Sequence, residues 1–302
     1  MKKIISFFAI FILSTTIADA QIYPTIHANR PRIYIDSARF AYLHYNMSTG
    51  NCGTTYNDFN NAVFSNWYND PQLYLLGTDS TLWTWDFNSQ WAQYQGQFVS
   101  ALYKINNDST ALKRCRFLIT QINNKLDTIN FNNYSWYENE ELIRNVADVG
   151  GMLFDWCYDS LPVPMRQHLA QNLYKIYSYF MNTYILTSAG NAYVTGHNIW
   201  NVFYANQYAL VLDSADGLSS LQQDSITQWY KISYDKAVNE ILPIAGYYRD
   251  DDGGWNWTAA YSIWSLVDEF QFFENMRIAT GKNFYTDFPW VQNSINQYWY
   301  FV

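Results

Sequence analysis

The chain has 302 residues, with 18 Lys+Arg against 26 Asp+Glu, and is 49% hydrophobic and 20% aromatic. That much apolar surface can offset the entropy of folding, which excludes a disordered chain. A formal charge of -8, with no Lys/Arg run beyond the extreme N-terminus, excludes a basic nucleic-acid platform.

Residues 1–20 read as a signal peptide. Lys2 and Lys3 supply the charged start, an apolar run covers 4–13, and Ala18-Asp19-Ala20 offers small residues for cleavage. The run is too short for a bilayer core of roughly 30 Å, and no later run is long enough. The expectation is a secreted or periplasmic protein without a membrane anchor, its single domain covering 21–302. Cys115 and Cys157 fall within apolar helical patterns and read as small buried hydrophobes. With Cys52 they form neither a disulfide framework nor a zinc motif.

Strand-like alternation is weak and confined to Arg32-Ile33-Tyr34-Ile35 and short loop pieces. Apolar residues recur at helical spacing over 56–68, 90–105, 109–126, 136–161, 163–186, 198–212, 218–241, 257–280 and 288–300. Asp108 offers an N-cap, Pro162 and Pro164 bracket a helix start, and Gly281 marks a stop. Long helices without a strict repeat predict an all-α fold, an incomplete (α/α) toroid of antiparallel hairpins rather than a solenoid. Aromatic residues at the inner ends of the hairpins would line a cleft and stack on sugar rings. The last predicted helix runs into Trp299-Tyr300-Phe301-Val302 without a cap, so a fragment of a longer chain is expected.

Three segments carry candidate chemistry. A polar loop over 191–196 leads into an apolar helix with His197 and Asn198 in its first turn and Trp200 and Asn201 behind them. Unpaired N–H groups and the positive end of the helix dipole favour an anionic group there. The plainer alternative is a cap beside an ordinary hydrogen-bonding histidine. Further on, Tyr248-Arg249-Asp250-Asp251-Asp252-Gly253-Gly254-Trp255-Asn256-Trp257 precedes Tyr261. The acids lack calcium-loop spacing and fit a tight turn, but Arg249 can hold a carboxylate and Tyr248 or Tyr261 can carry a proton. The third segment, 136–144, contains Glu140 and Arg144 four residues apart. They form either a surface ion pair or, with Arg144 facing the cleft, a grip on acidic substrate groups.

These segments resemble the N-terminal helical part of the heparinase II/III-like and chondroitin/alginate lyase group of polysaccharide lyases. The likeness rests on four stretches: His27-Ala28-Asn29-Arg30-Pro31-Arg32-Ile33-Tyr34; Phe154-Asp155-Trp156-Cys157-Tyr158-Asp159-Ser160-Leu161; Thr195-Gly196-His197-Asn198; and Asp252-Gly253-Gly254-Trp255 followed by Tyr261. The resemblance implies a toroid followed by a β-rich C-terminal part that helps complete the cleft. It also implies β-elimination on a uronic-acid polysaccharide without a cofactor or metal. In that reading Asn198 neutralises the carboxylate, and Tyr261 and His197 serve as base and acid. Tyr248, Arg249, Arg144, Trp200, Asn201, Trp255 and Trp257 bind the glycan. Several relatives have a histidine between the glycine turn and the tyrosine, where this chain has Asn256 and Trp257. The acidic balance suits a weakly charged uronan better than a strongly sulfated one.

Two other readings stand beside it. A glycoside hydrolase on the same toroid would pair Asp250, Asp251 or Asp252 with Glu140 or Asp148 across the cleft. A non-catalytic glycan-binding protein would use the Trp/Tyr cleft alone.

Overall fold

The computed structural model describes residues 23–49, 90–187, 196–243, 259–288 and 290. The expected signal peptide, the helix over 56–68, Cys52, and the site residues Tyr248, Arg249, Trp255 and Trp257 lie outside them. So does nearly all of the helix expected over 288–300. Every regular element among the described residues is helical, in keeping with the expected all-α class. In chain order the main helices are α1 (Ser37–Thr49), α2 (Gln90–Asn106), α3 (Ser109–Thr128), α4 (Trp136–Asn145) and α5 (Gly151–Cys157). They continue with α6 (Val163–Phe180), α7 (Gly196–Leu212), α8 (Ser220–Asp235), α9 (Ala259–Thr280) and the single turn α10 (Phe284–Asp287).

Local chemistry sets most of the boundaries. Asp108 caps α3 by accepting from the backbone N–H groups of Thr110 at 2.7 Å and Ala111 at 3.1 Å. Ser135 and Glu138 form a reciprocal capping box on α4, and Ser219 and Gln222 do the same on α8. Pro162 immediately precedes α6, with Pro164 inside its first turn. Gly281, at φ +76°, ends α9 in the left-handed conformation that glycine tolerates best. The predicted helix over 136–161 is α4 and α5 joined by a wider π-helical turn, Val146–Gly150, and closed by a short 3-10 turn, Tyr158–Ser160. Similar wide turns, Met181–Ile185 and Lys236–Ile241, extend α6 and α8.

Helix α1 was not foreseen in the sequence. It sends Phe40 into the core, edge-on to Trp156 at 4.8 Å, while Tyr42 and Tyr45 stay exposed, so its sequence carries no continuous apolar stripe. Helix α7 lies at the centre and packs against α6, α8 and α9. All residues from Ile199 to Leu212 are buried, so its sequence is apolar all round rather than amphipathic.

The weak strand-like alternation at 32–35 does not become a strand. That segment is an irregular strap whose backbone bonds to side chains instead of a neighbouring strand. Asp155 Oδ2 accepts from the N–H of Arg32 at 2.6 Å and of Ile33 at 3.2 Å, and Asn275 Oδ1 accepts from Tyr34 N–H at 2.7 Å. Arg30 donates to the other Asp155 oxygen at 2.7 Å. Arg30 and Arg32 also donate to Val211 O at 2.8 Å and Leu210 O at 3.2 Å. These are the carbonyls a helix end leaves unpaired, so two cations close the negative end of α7. Trp156 returns a bond to Ile33 O at 3.1 Å. The stretches 27–34 and 154–161 thus interlock, and their polar residues hold the strap against α5 and the end of α7.

Candidate functional site

Three polar stripes meet inside this helical frame. Glu140, Arg144 and Asp148 are spaced by four along α4 and the following π-helical turn, which keeps them near one face. Trp200, Tyr204 and Gln207 form a second stripe along α7, and Asp268, Gln271 and Asn275 a third along α9. Tyr34, from the strap, enters between them.

Asp148 is the meeting point. It is 5% exposed and accepts hydrogen bonds from Tyr34 Oη, from Tyr204 Oη at 3.1 Å and from Gln207 Nε2 at 3.4 Å. Gln207 also donates to Ala147 O at 3.0 Å and to Tyr34 Oη at 2.9 Å, while Asn275 donates to Gln207 Oε1 at 3.4 Å. Tyr204 Oη lies 3.5 Å from Asp268 Oδ1, so one phenol is within hydrogen-bond reach of two carboxylates. Tyr34 has φ +61°, a left-handed conformation that costs a bulky residue about 1–3 kcal/mol. Its bonds to Asn275 and Asp148 hold it there.

Burial dominates the electrostatics. It raises the Asp148 pKa to about 6, against the opposing pull of its hydrogen bonds and of Arg144. Burial, followed by the Asp148 charge, pushes Asp268 well above the usual carboxylate range. The Tyr34 and Tyr204 phenols rise for the same two reasons. A cavity of about 10 Å³, roughly the space of one water-sized group, is lined by Tyr204, Gln207, Asp268, Gln271 and Asn275.

One turn away, toward the start of α7, the structure brings together two of the expected binding residues. The Arg144 guanidinium carbon lies 5.0 Å from the Trp200 ring centroid, within cation–π range, and Asn201 adjoins Trp200 on the same helix. Asn201 is 1% exposed, and neither of its amide atoms has a hydrogen-bond partner among the described residues. The surface pair of Glu140 with Arg144 needs correction. Arg144 bonds to Glu141 instead, and both Arg144 and Glu140 are buried, because this face of α4 packs inward. Burial works against the Arg144 charge, but Glu141 and Glu140 outweigh it and raise its pKa.

His197 and Asn198 belong to the first turn of α7, and Tyr261 to the first turn of α9. Their side chains lie outside the described part of the structure, as do Asp250, Asp251 and Asp252. Sequence reasoning did not single out Tyr204, Gln207, Asp268 or Asn275. The signal was present as polar residues within helices that are otherwise apolar all round. Among the described residues no group of three His, Cys, Asp or Glu is placed to hold a metal, and no helix is long and apolar enough to cross a membrane.

A second hollow, of about 490 Å³, opens at the other end of α7 beside Asn29, Ser37, Asp159 and Ser214, with Arg30 and Arg32 in its wall. Arg30 is already committed to Asp155 and Arg32 to Asp213, and both to the carbonyls at the end of α7, so this hollow is framed by structural ion pairs. Neither a protein-family model nor a curated protein matches the chain.

Proposed function

We propose that the chain is the helical toroid part of an exported lyase acting on a uronic-acid polysaccharide, resembling the heparinase II/III-like group, with a β-rich part completing the cleft. The observation that carries this reading is the Arg144–Trp200 pair, followed on α7 by the buried Asn201, beside the first turn where His197 and Asn198 reside. A cation, an aromatic face and a buried unpaired amide next to a helix N-terminus suit a sugar ring bearing a carboxylate.

The chemistry follows from those groups. Asn198 and the N-terminal dipole of α7 stabilise the charge that develops on the substrate carboxylate as the C5 proton leaves. Tyr261 or His197 takes that proton, and the electron pair forms the C4–C5 double bond as the C4–O bond breaks. A proton from Tyr261 or His197 then goes to the departing glycosidic oxygen. Trp200, Trp255 and Trp257 provide stacking faces, while Tyr248, Arg249 and Arg144 orient the acid group.

A second reading, a glycoside hydrolase, is favoured by a different observation. Asp148 and Asp268 share Tyr204, and their pKa values are both raised, an arrangement that allows one carboxyl group to stay protonated as an acid. One assay separates the two. The full-length protein is incubated with a panel of uronic-acid and neutral glycans, and both ultraviolet absorbance and reducing ends are followed. The lyase reading requires a rise in absorbance from the new conjugated double bond, abolished by Tyr261→Phe. New reducing ends without absorbance, lost in Asp268→Asn, would overturn it in favour of the hydrolase.

A further inference from the structure

Cys115 on α3 and Cys157 at the end of α5 come from segments far apart in sequence, yet they meet in the core. Helices α3 and α5 pack directly on each other, and the two cysteines are 0% and 1% exposed. Cys157 is among the groups that act on the Cys115 thiol. The contact is fixed from both sides. Arg116, next to Cys115, donates to Ser160 O at 2.6 Å, three residues beyond Cys157, and Ser160 Oγ is bonded to Tyr103 Oη on α2. The two sulfurs are free thiols in this structure.

Two buried thiols in an apolar setting have no metal-holding group around them among the described residues. Their placement matters if the chain folds outside the reducing cytoplasm, where thiol pairs oxidise. We infer that Cys115 and Cys157 are a disulfide-forming pair that closes while the chain folds in an oxidising compartment. The step is a two-electron oxidation. One thiolate attacks a disulfide of a dithiol–disulfide oxidant, the second cysteine displaces the resulting mixed disulfide, and the oxidant leaves as a dithiol with the two protons released by the cysteines. Burial, with Cys157 alongside, pushes the Cys115 thiol well above its ordinary range. Thiolate attack in the folded core is therefore suppressed, and the bond forms before the helices close over it. The timing rests on the export reading; the pairing rests on the packing of α3 against α5.

The test uses the full chain in two arms. In the first, the protein made with its leader is recovered from outside the cytoplasm, its free thiols are alkylated, and its unreduced peptides are mapped by mass spectrometry. In the second, leaderless protein is denatured, reduced and refolded in a reduced/oxidised glutathione buffer before the same mapping. The expected result in both arms is one link joining Cys115 to Cys157, with Cys52 alkylated. Reductant should then lower the melting temperature by about 5–10 °C in the linked protein and leave a Cys115→Ala/Cys157→Ala variant unmoved. A link in the refolded arm, with no protein found outside the cytoplasm in the first arm, upholds the pair and removes the export reading. A dominant link through Cys52, or three alkylated cysteines after refolding, overturns the pairing.

Discussion

Replacing Asp155 by alanine removes the acceptor on which the strap depends. Its carboxylate takes one bond from the Arg30 guanidinium at 2.7 Å and two backbone bonds from Arg32 and Ile33. The side chain of Asp155 is fully buried and that of Arg30 is 6% exposed, so the substitution strands a desolvated cation and two buried N–H groups. Losing one partner of a buried ion pair costs about 3–5 kcal/mol. Part of the arginine's environment remains, since it still donates to Val211 O and lies 4.3 Å from the Tyr158 ring centroid. About 3–4 kcal/mol is therefore expected, equivalent to a fall of about 10 °C in melting temperature for a chain of this size. Circular dichroism at the helical band during a thermal ramp reads it directly. Asp155→Asn keeps one acceptor oxygen and should fall between alanine and the parent. Arg39→Ala serves as the control, because its pair with Glu274 at 2.6 Å is half exposed and is expected to be worth only about 0–1 kcal/mol. If Asp155→Ala melts within about 2 °C of the parent, like the control, then the strap is not an anchor and the reasoning fails.

The Asp148 carboxyl, raised to about 6 in the fold against an ordinary 3.8, favours the folded state when protonated. Its contribution is present below the unfolded pKa and is lost as pH rises through 6. Urea midpoints should show the parent losing about 2 kcal/mol relative to Asp148→Asn between pH 4 and pH 7, with Asp268 titrating alongside in both; parallel curves would refute this. Gly96 on α2 leaves room for the Val149 side chain, so Gly96→Ala should cost about 1–3 kcal/mol and recover part of that when Val149→Ala is added; no recovery would exclude the steric cause. In the lyase reading, Arg144→Ala should lower turnover of a uronic-acid glycan at least tenfold while Arg144→Lys retains part of it. Equal activity of both variants with the parent would remove Arg144 from the binding groups.

The sequence by itself determined most of the helices, α1 excepted. Caps such as Asp108, the prolines at the start of α6 and the apolar periodicity act within a few residues, so each is legible without knowing the fold. A helix over 198–212 was legible as well, though not its burial on every side, and Arg144, Trp200 and Asn201 were selected from local pattern and the resemblance. Tertiary structure decided whatever depends on which surfaces meet. Arg32-Ile33-Tyr34-Ile35 alternates like a strand, but Asp155 and Asn275 satisfy its backbone, and a side chain more than a hundred residues away leaves no mark on local periodicity. Arg144 took Glu141 rather than Glu140 because α4 turns that face inward. Asp148 and Asp268 converge on Tyr204, and Cys115 on Cys157, only after α4, α7 and α9, and α3 and α5, have packed. The energy of those encounters comes from desolvation, which exists only once the helices exclude water.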